Sequence, residues 1–184
     1  MSPSSDVIVV GARCAGAATA MLLARAGLRV TVVERGRYGT DTLSTHALMR
    51  AAVVRLNRWG LLPAIAGAGT PPITHVSFRY AGEEISFAIK PRDGVDALYA
   101  PRRTLLDRVL VDAARQAGAT VIHGASVSEV IVAPGGRVQG VVVGGENGGV
   151  RTLTAGIVVG ADGLRSTVAS RVGAAVYRAG RHAT

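Results

Sequence analysis

Asp6-Val-Ile-Val-Val10-Gly11-Ala12-Arg13-Cys14-Ala15-Gly16 is the stretch whose reading decides the fold. Asp6 to Val10 is a short β-branched run ended by a glycine, the pattern of a strand buried on both faces of a parallel sheet. From Ala15 to Ala26 the composition turns to Ala, Leu and Met, which predicts a helix stopped by Gly27. Leu28 to Val33 predicts a second buried strand. A right-handed crossover makes the two strands parallel neighbours, so the opening third reads as a βαβ unit and the fold class as α/β, Rossmann-like.

The loop between the first strand and the helix is a departure from a dinucleotide fingerprint. Such a loop uses its first glycine for the turn, its second for close approach of the pyrophosphate and its third for helix packing. Gly11 and Gly16 keep the first and third roles, and Arg13 stands at the second. The helix N-terminus still offers N–H groups and a positive dipole end to a phosphate, and Arg13 adds charge there. Glu34 ends the second strand 23 positions after Gly11, where a carboxylate accepts hydrogen bonds from ribose hydroxyls and repels a 2′-phosphate. FAD or NAD is therefore expected rather than NADP at this place.

Further along, Thr45 to Trp59 predicts a second helix, and Thr74 to Tyr80 with Glu84 to Ile89 a β-hairpin. Leu105 to Ala117 predicts a third helix and Thr120 to His123 a strand. Val127 to Val132, Val138 to Val143 and Val150 to Ala155, separated by glycine-rich turns, predict an antiparallel meander. Ile157 to Gly160 predicts another buried strand and Leu164 to Val172 a short helix.

Gly160-Ala-Asp162-Gly163-Leu-Arg-Ser166 directly follows that last strand. Here the chain resembles the FAD-dependent monooxygenases of the para-hydroxybenzoate hydroxylase type, and its front half is also similar to geranylgeranyl-reductase-like flavoproteins. The resemblance spans nearly the whole chain and includes Glu34-Arg35 and the helix opening at Arg103. It implies that Gly11, Ala12, Arg13, Ala15 and Gly16 lie near the FAD pyrophosphate. Glu34 and Arg35 then lie at the adenosine ribose, Arg103 near the phosphates, and the backbone of Val127 at the adenine. Gly160, Asp162 and Gly163 close the FAD site, with Asp162 equally suited to capping the helix predicted from Leu164. Ser44 and His46 fall where the family brings a loop toward the flavin, although a lone His at a helix start is more often a solvent-facing residue. NADPH or NADH as electron donor and a small organic substrate follow from the same resemblance, the redox chemistry being the flavin's.

The family continues past the GADG segment, so residues 1–184 are expected to form a partial FAD-binding domain, incomplete at its C-terminus, with 72–98 a hairpin of the substrate side. A complementing C-terminal chain is then an expected partner, and one face of the sheet is expected to lack cover. The alternatives are a truncated, non-catalytic nucleotide-binding remnant and a fragment of an NAD-binding Rossmann dehydrogenase. The latter does not account for GADGLRS.

Composition narrows the classes. With 48% hydrophobic and 18% charged residues the chain is globular, not disordered. The net charge of +9 is carried by scattered arginines with one lysine, Lys90, and aromatics are 4%, so base-stacking platforms for nucleic acid are not expected. Cys14 is the sole cysteine, which excludes an internal disulfide and fits a cytoplasmic protein. No apolar run is long enough for stable membrane insertion. His75, His123 and His182 lack ligand spacing, and no metal site is expected.

Overall fold

The computed structural model describes residues 4–44, 47–145 and 148–178. In chain order its elements are β1 (Ser5–Val10), α1 (Cys14–Arg25), β2 (Val30–Glu34), α2 (Arg50–Arg58), α3 (Leu62–Gly67), β3 (Pro72–Ile73), β4 (His75–Tyr80) and β5 (Glu83–Ala88). They continue with β6 (Leu98–Tyr99), α4 (Arg103–Gln116), β7 (Thr120–His123), β8 (Ala125–Val132), β9 (Val138–Gly145), β10 (Val150–Gly160) and α5 (Thr167–Arg171). They fall into two compact units, Met1–Arg37 with Ala114–Thr184, and Tyr38–Ala113.

The first unit is built on a six-stranded sheet in the order β7-β2-β1-β10-β9-β8. β7, β2, β1 and the end of β10 run parallel, and β10, β9 and β8 form an antiparallel meander, so the mixed α/β fold matches the expectation. The strands read as apolar runs because both faces are covered. Ile8, Val10 and Val33 pack with Val141 and Val143 of β9 in one core, while α1 turns Ala17, Ala20, Met21 and Ala24 inward and packs on β1 and β2. Taking each such large side chain out of water contributes about 1.5–3 kcal/mol.

Three expectations are corrected here. The two strands Val150–Ala155 and Ile157–Gly160 are one strand, because the backbone continues through Gly156 and changes partner from β9 to β1. The expected lack of cover is narrowed, because the meander packs against Ile8, Val10 and Val33. What stays open is narrower: Ile157, in register with Val7, is 58% exposed. The last helix starts at Thr167 rather than Leu164, since Ser166 is its N-cap.

In the second unit, Val53, Val54, Val95 and Leu98 form a small core with Leu48, Ile73 and Tyr99 against it. The helix expected from Thr45 begins instead at Arg50. The reason lies in a remote partner: the Leu48 N–H donates to the Tyr99 carbonyl at 2.7 Å, which holds Leu48 in an extended bridge. Arg50 ties α2 down by donating to the carbonyls of Lys90 (2.7 Å) and Val95 (3.1 Å). The β4–β5 hairpin turns at Ala81-Gly82, both with positive φ, as a two-residue hairpin turn requires. Its registered pairs put Val76, Phe78, Ile85 and Phe87 on one exposed face and Ser77, Arg79, Glu84 and Ser86 on the other.

Candidate functional site

Three segments converge at the C-terminal ends of β1, β2 and β10. Gly11 leaves β1 with φ +99°, and its N–H donates to the Val33 carbonyl at 2.8 Å. The Ala161 N–H donates to the Val10 carbonyl at 2.7 Å, which sets the GADG segment beside the glycine turn. No side chain fits between them: a Cβ on Gly11 would stand 2.4 Å from the Ala161 carbonyl oxygen, and one on Gly16 would stand 1.8 Å from that of Gly11. The glycines at 11 and 16 are therefore needed for the turn and for seating α1, as the spacing predicts.

α1 starts here with no side-chain cap and no acid in its first turn. Its positive end is thus not answered by a protein anion from its own first turn. Ala12 is buried, Ala15 exposed and Arg13 half-buried.

Glu34 is the most constrained group of the site. It is 8% exposed, and its Oε2 accepts from the Ala12 N–H while its Oε1 accepts from the Gly36 N–H, both at 2.7 Å. The carboxylate therefore bridges the fingerprint loop and the turn after β2. Arg35, beside it, is exposed. Gly36 is held from its other side as well, because its carbonyl accepts from the Gly124 N–H (3.3 Å) and lies 3.2 Å from Nδ1 of His123. His123 ends β7 in register with Glu34. Burial chiefly holds its imidazole below the ordinary range, with Arg115 and Arg13 acting in the same sense and the Gly36 carbonyl and Glu34 opposing. Reading the sequence alone missed His123; the signal that would have found it is the parallel pairing of β2 with β7.

Asp162 lies in the GADG loop and spends its carboxylate on the chain itself. Oδ1 accepts from the Ser166 hydroxyl (2.6 Å) and Oδ2 from the N–H groups of Thr167 (2.6 Å) and Val168 (3.3 Å). The Ser166 hydroxyl in turn accepts from Ala169 N–H at 3.0 Å. Asp162 thus supports the start of α5 across five residues. Gly160 admits Val168, which a Cβ there would touch at 3.0 Å, and Gly163 has φ +88°. Val127 lies in β8 opposite Val143, with its side chain against the core.

Arg103 and Ser44 belong to the second unit, where both line a cleft of about 540 Å³ with Asp41, Pro101 and Arg102. The Arg103 fork is bidentate to Asp107, with Nη2 at 3.0 and 3.1 Å from the two carboxylate oxygens and Nε at 3.2 Å from Oδ1. This pair spans one helical turn and is largely shielded from solvent. Arg102 pairs with Asp41, whose carboxyl is held below its ordinary range by that hydrogen bond. His46 lies outside the described residues, as does His182. Among the described residues no three His, Cys, Asp or Glu side chains gather as metal ligands, and no helix is long and apolar enough to cross a membrane.

The family described as FAD binding domain matches residues 4–183. The chain belongs to this family, of the para-hydroxybenzoate hydroxylase-like kind. It is 32% identical over 178 residues to Protein FixC of Salmonella typhi, covering 92% of this chain and 39% of the relative. It is 32% identical over 181 residues to the menaquinone reductase of Mycolicibacterium smegmatis, covering 97% and 42%. Among solved structures, aklavinone-11 hydroxylase with FAD and aklavinone superposes with a TM-score of 0.77 at 27% identity, over 94% of this chain and 35% of that one. The chain thus spans about two fifths of the length of the curated relatives it matches.

Proposed function

We propose that the first unit binds the ADP half of FAD, and that this chain supplies cofactor-binding structure to a flavin-dependent oxidoreductase, a monooxygenase acting on a small organic substrate. The observation that carries the reading is the buried Glu34 carboxylate, bonded at 2.7 Å to the Ala12 N–H of the glycine loop that opens α1. The donor set fits the cofactor. A helix start with no side-chain cap and no first-turn acid suits a diphosphate, and a fixed carboxylate at the neighbouring strand end suits ribose hydroxyls. In this reading Gly11, Ala12, Arg13, Ala15 and Gly16 flank the pyrophosphate, Glu34 and Arg35 flank the ribose, and the backbone of Val127 faces the adenine. Gly160, Asp162 and Gly163 wall the site.

Arg103 serves the FAD phosphates and Ser44, with His46, the flavin. Asp107 takes the Nε and Nη2 donors of Arg103, so a phosphate would meet its Nη1. The segment 72–98 belongs to the substrate side. When bound, the flavin supplies the redox chemistry; the residues of this chain bind and orient it. NADPH or NADH is the electron donor, a complementing C-terminal chain is the partner, and the setting is cytoplasmic.

A reductase in place of a monooxygenase is the second reading, favoured by the likeness to a menaquinone reductase over 97% of this chain. The test is titration of the purified chain with FAD, alone and as Glu34→Ala and Arg103→Ala. Both substitutions are expected to weaken binding, by about tenfold or more for the loss of a charge-assisted hydrogen bond. FAD affinity indifferent to both refutes the assignment.

A further inference from the structure

We propose that Arg13 reads the ribose hydroxyls of the bound adenosine together with Glu34, and that the arginine in place of the fingerprint's middle glycine is a specificity residue. This rests on the FAD reading above and goes beyond it. Arg13 has φ −76° and ψ −174°, ordinary extended backbone, so nothing in the turn requires glycine at this position. What matters is where the side chain goes. Its Nη2 lies 3.6 Å from the point where a Cβ on Gly36 would stand, and Oε1 of Glu34 lies 3.0 Å from the same point. The guanidinium therefore stands at the turn after β2, beside the Glu34 carboxylate, and its charge is felt at His123 on β7.

The chemistry at that end is complementary. A ribose hydroxyl is both a donor and an acceptor. Each carboxylate oxygen of Glu34 already holds one backbone N–H and keeps a lone pair to accept from a hydroxyl. The carboxylate has no proton to give back. A guanidinium has only donors, fixed in a plane, and supplies the missing half of each hydroxyl's pairing. Glu34 and Arg13 together satisfy a cis-diol in both senses, which neither does alone.

The probes are ADP and 2′-deoxy-ADP, titrated calorimetrically into the full chain, which avoids dependence on the flavin end. The native chain is expected to favour ADP by about tenfold or more, the worth of one charge-assisted hydrogen bond. Arg13→Gly, which restores the fingerprint glycine, is expected to weaken ADP and narrow that preference, and Arg13→Lys, which lacks the planar fork, to fall between. Glycine is tolerated at a helix N-cap, and thermal melts check that the variant keeps its fold. ADP binding in Arg13→Gly that equals or exceeds the native value, or an unchanged preference for ADP, overturns the proposal. Glu34→Gln separates the two levels. If it weakens ADP binding while Arg13→Gly does not, only the role of Arg13 fails. If neither matters, or the native chain does not bind ADP, the FAD reading fails with it.

Discussion

Replacing Gly16 with alanine tests whether the glycine turn and α1 are locked together as the contacts indicate. The added Cβ would stand 1.8 Å from the Gly11 carbonyl oxygen, 2.9 Å from its carbon and 3.2 Å from the Ala161 Cβ. Gly11 cannot retreat, because its N–H is bonded to Val33 and its own Cβ position is already 2.4 Å from the Ala161 carbonyl. Reaching an ordinary 3.4 Å contact thus requires α1 to lift by about 1.6 Å, away from the strands that bury Ala17 and Met21. Overpacking against backbone costs about 1–3 kcal/mol and exceeds the gain of up to about 1 kcal/mol from replacing a helical glycine. Against a total stability of about 5–15 kcal/mol the net loss is readily measured by urea unfolding. Gly144→Ala is the control, since nothing lies within 4 Å of its Cβ position; it should change stability by less than about 0.5 kcal/mol. ADP affinity should fall in Gly16→Ala alone. Equal midpoints for the two variants, with native ADP affinity in both, would refute the reasoning.

Asp162→Ala should destabilise the first unit by about 1–2 kcal/mol, since it removes the acceptor for two α5 N–H groups and the Ser166 hydroxyl. Ser166→Ala should cost about half as much, because Asp162 still holds Thr167. Matching denaturation curves for Asp162→Ala and the native chain would remove Asp162 from the cap. His123 contributes a pH dependence of known sign. Its folded pKa lies below the ordinary 6.5, so the unfolded chain binds more protons in this window. Its contribution is fully present above 6.5 and is lost as pH falls below it. Melting between pH 7.5 and 5.5 should therefore show a fall that is smaller in His123→Gln; an identical fall in both would count against it.

The βαβ unit was legible because it rests on local signals: a β-branched run, an Ala-Leu helix and glycines at the turns, all within thirty residues. The GADG segment was legible as a motif, yet its closeness to the glycine turn depends on Val10 pairing with Gly160, which no local pattern encodes. The start of α2 was misread for the same reason. Leu48 fits a helical stripe, and only its pairing with Tyr99, fifty-one residues on, makes it extended. The nearness of Glu34 to the glycine loop was expected from spacing, whereas the direction taken by the Arg13 side chain and the hold of His123 on Gly36 arise from packing between segments remote in sequence. The i,i+4 spacing of Arg103 and Asp107 was present in the sequence and went unread; it accounts for how that guanidinium is aimed.

β10 belongs to two structures at once, pairing with β9 through its first half and with β1 through its second. A strand shared in this way couples their melting. Peeling the Val138–Gly145 ribbon away frees the near half of the shared strand and loosens the far half, from whose tip Ala161 hangs against the glycine turn. Amide protons from Val150 to Gly160 are therefore expected to exchange as one cooperative block, and a nucleotide seated at one end of the sheet to slow solvent access at the other.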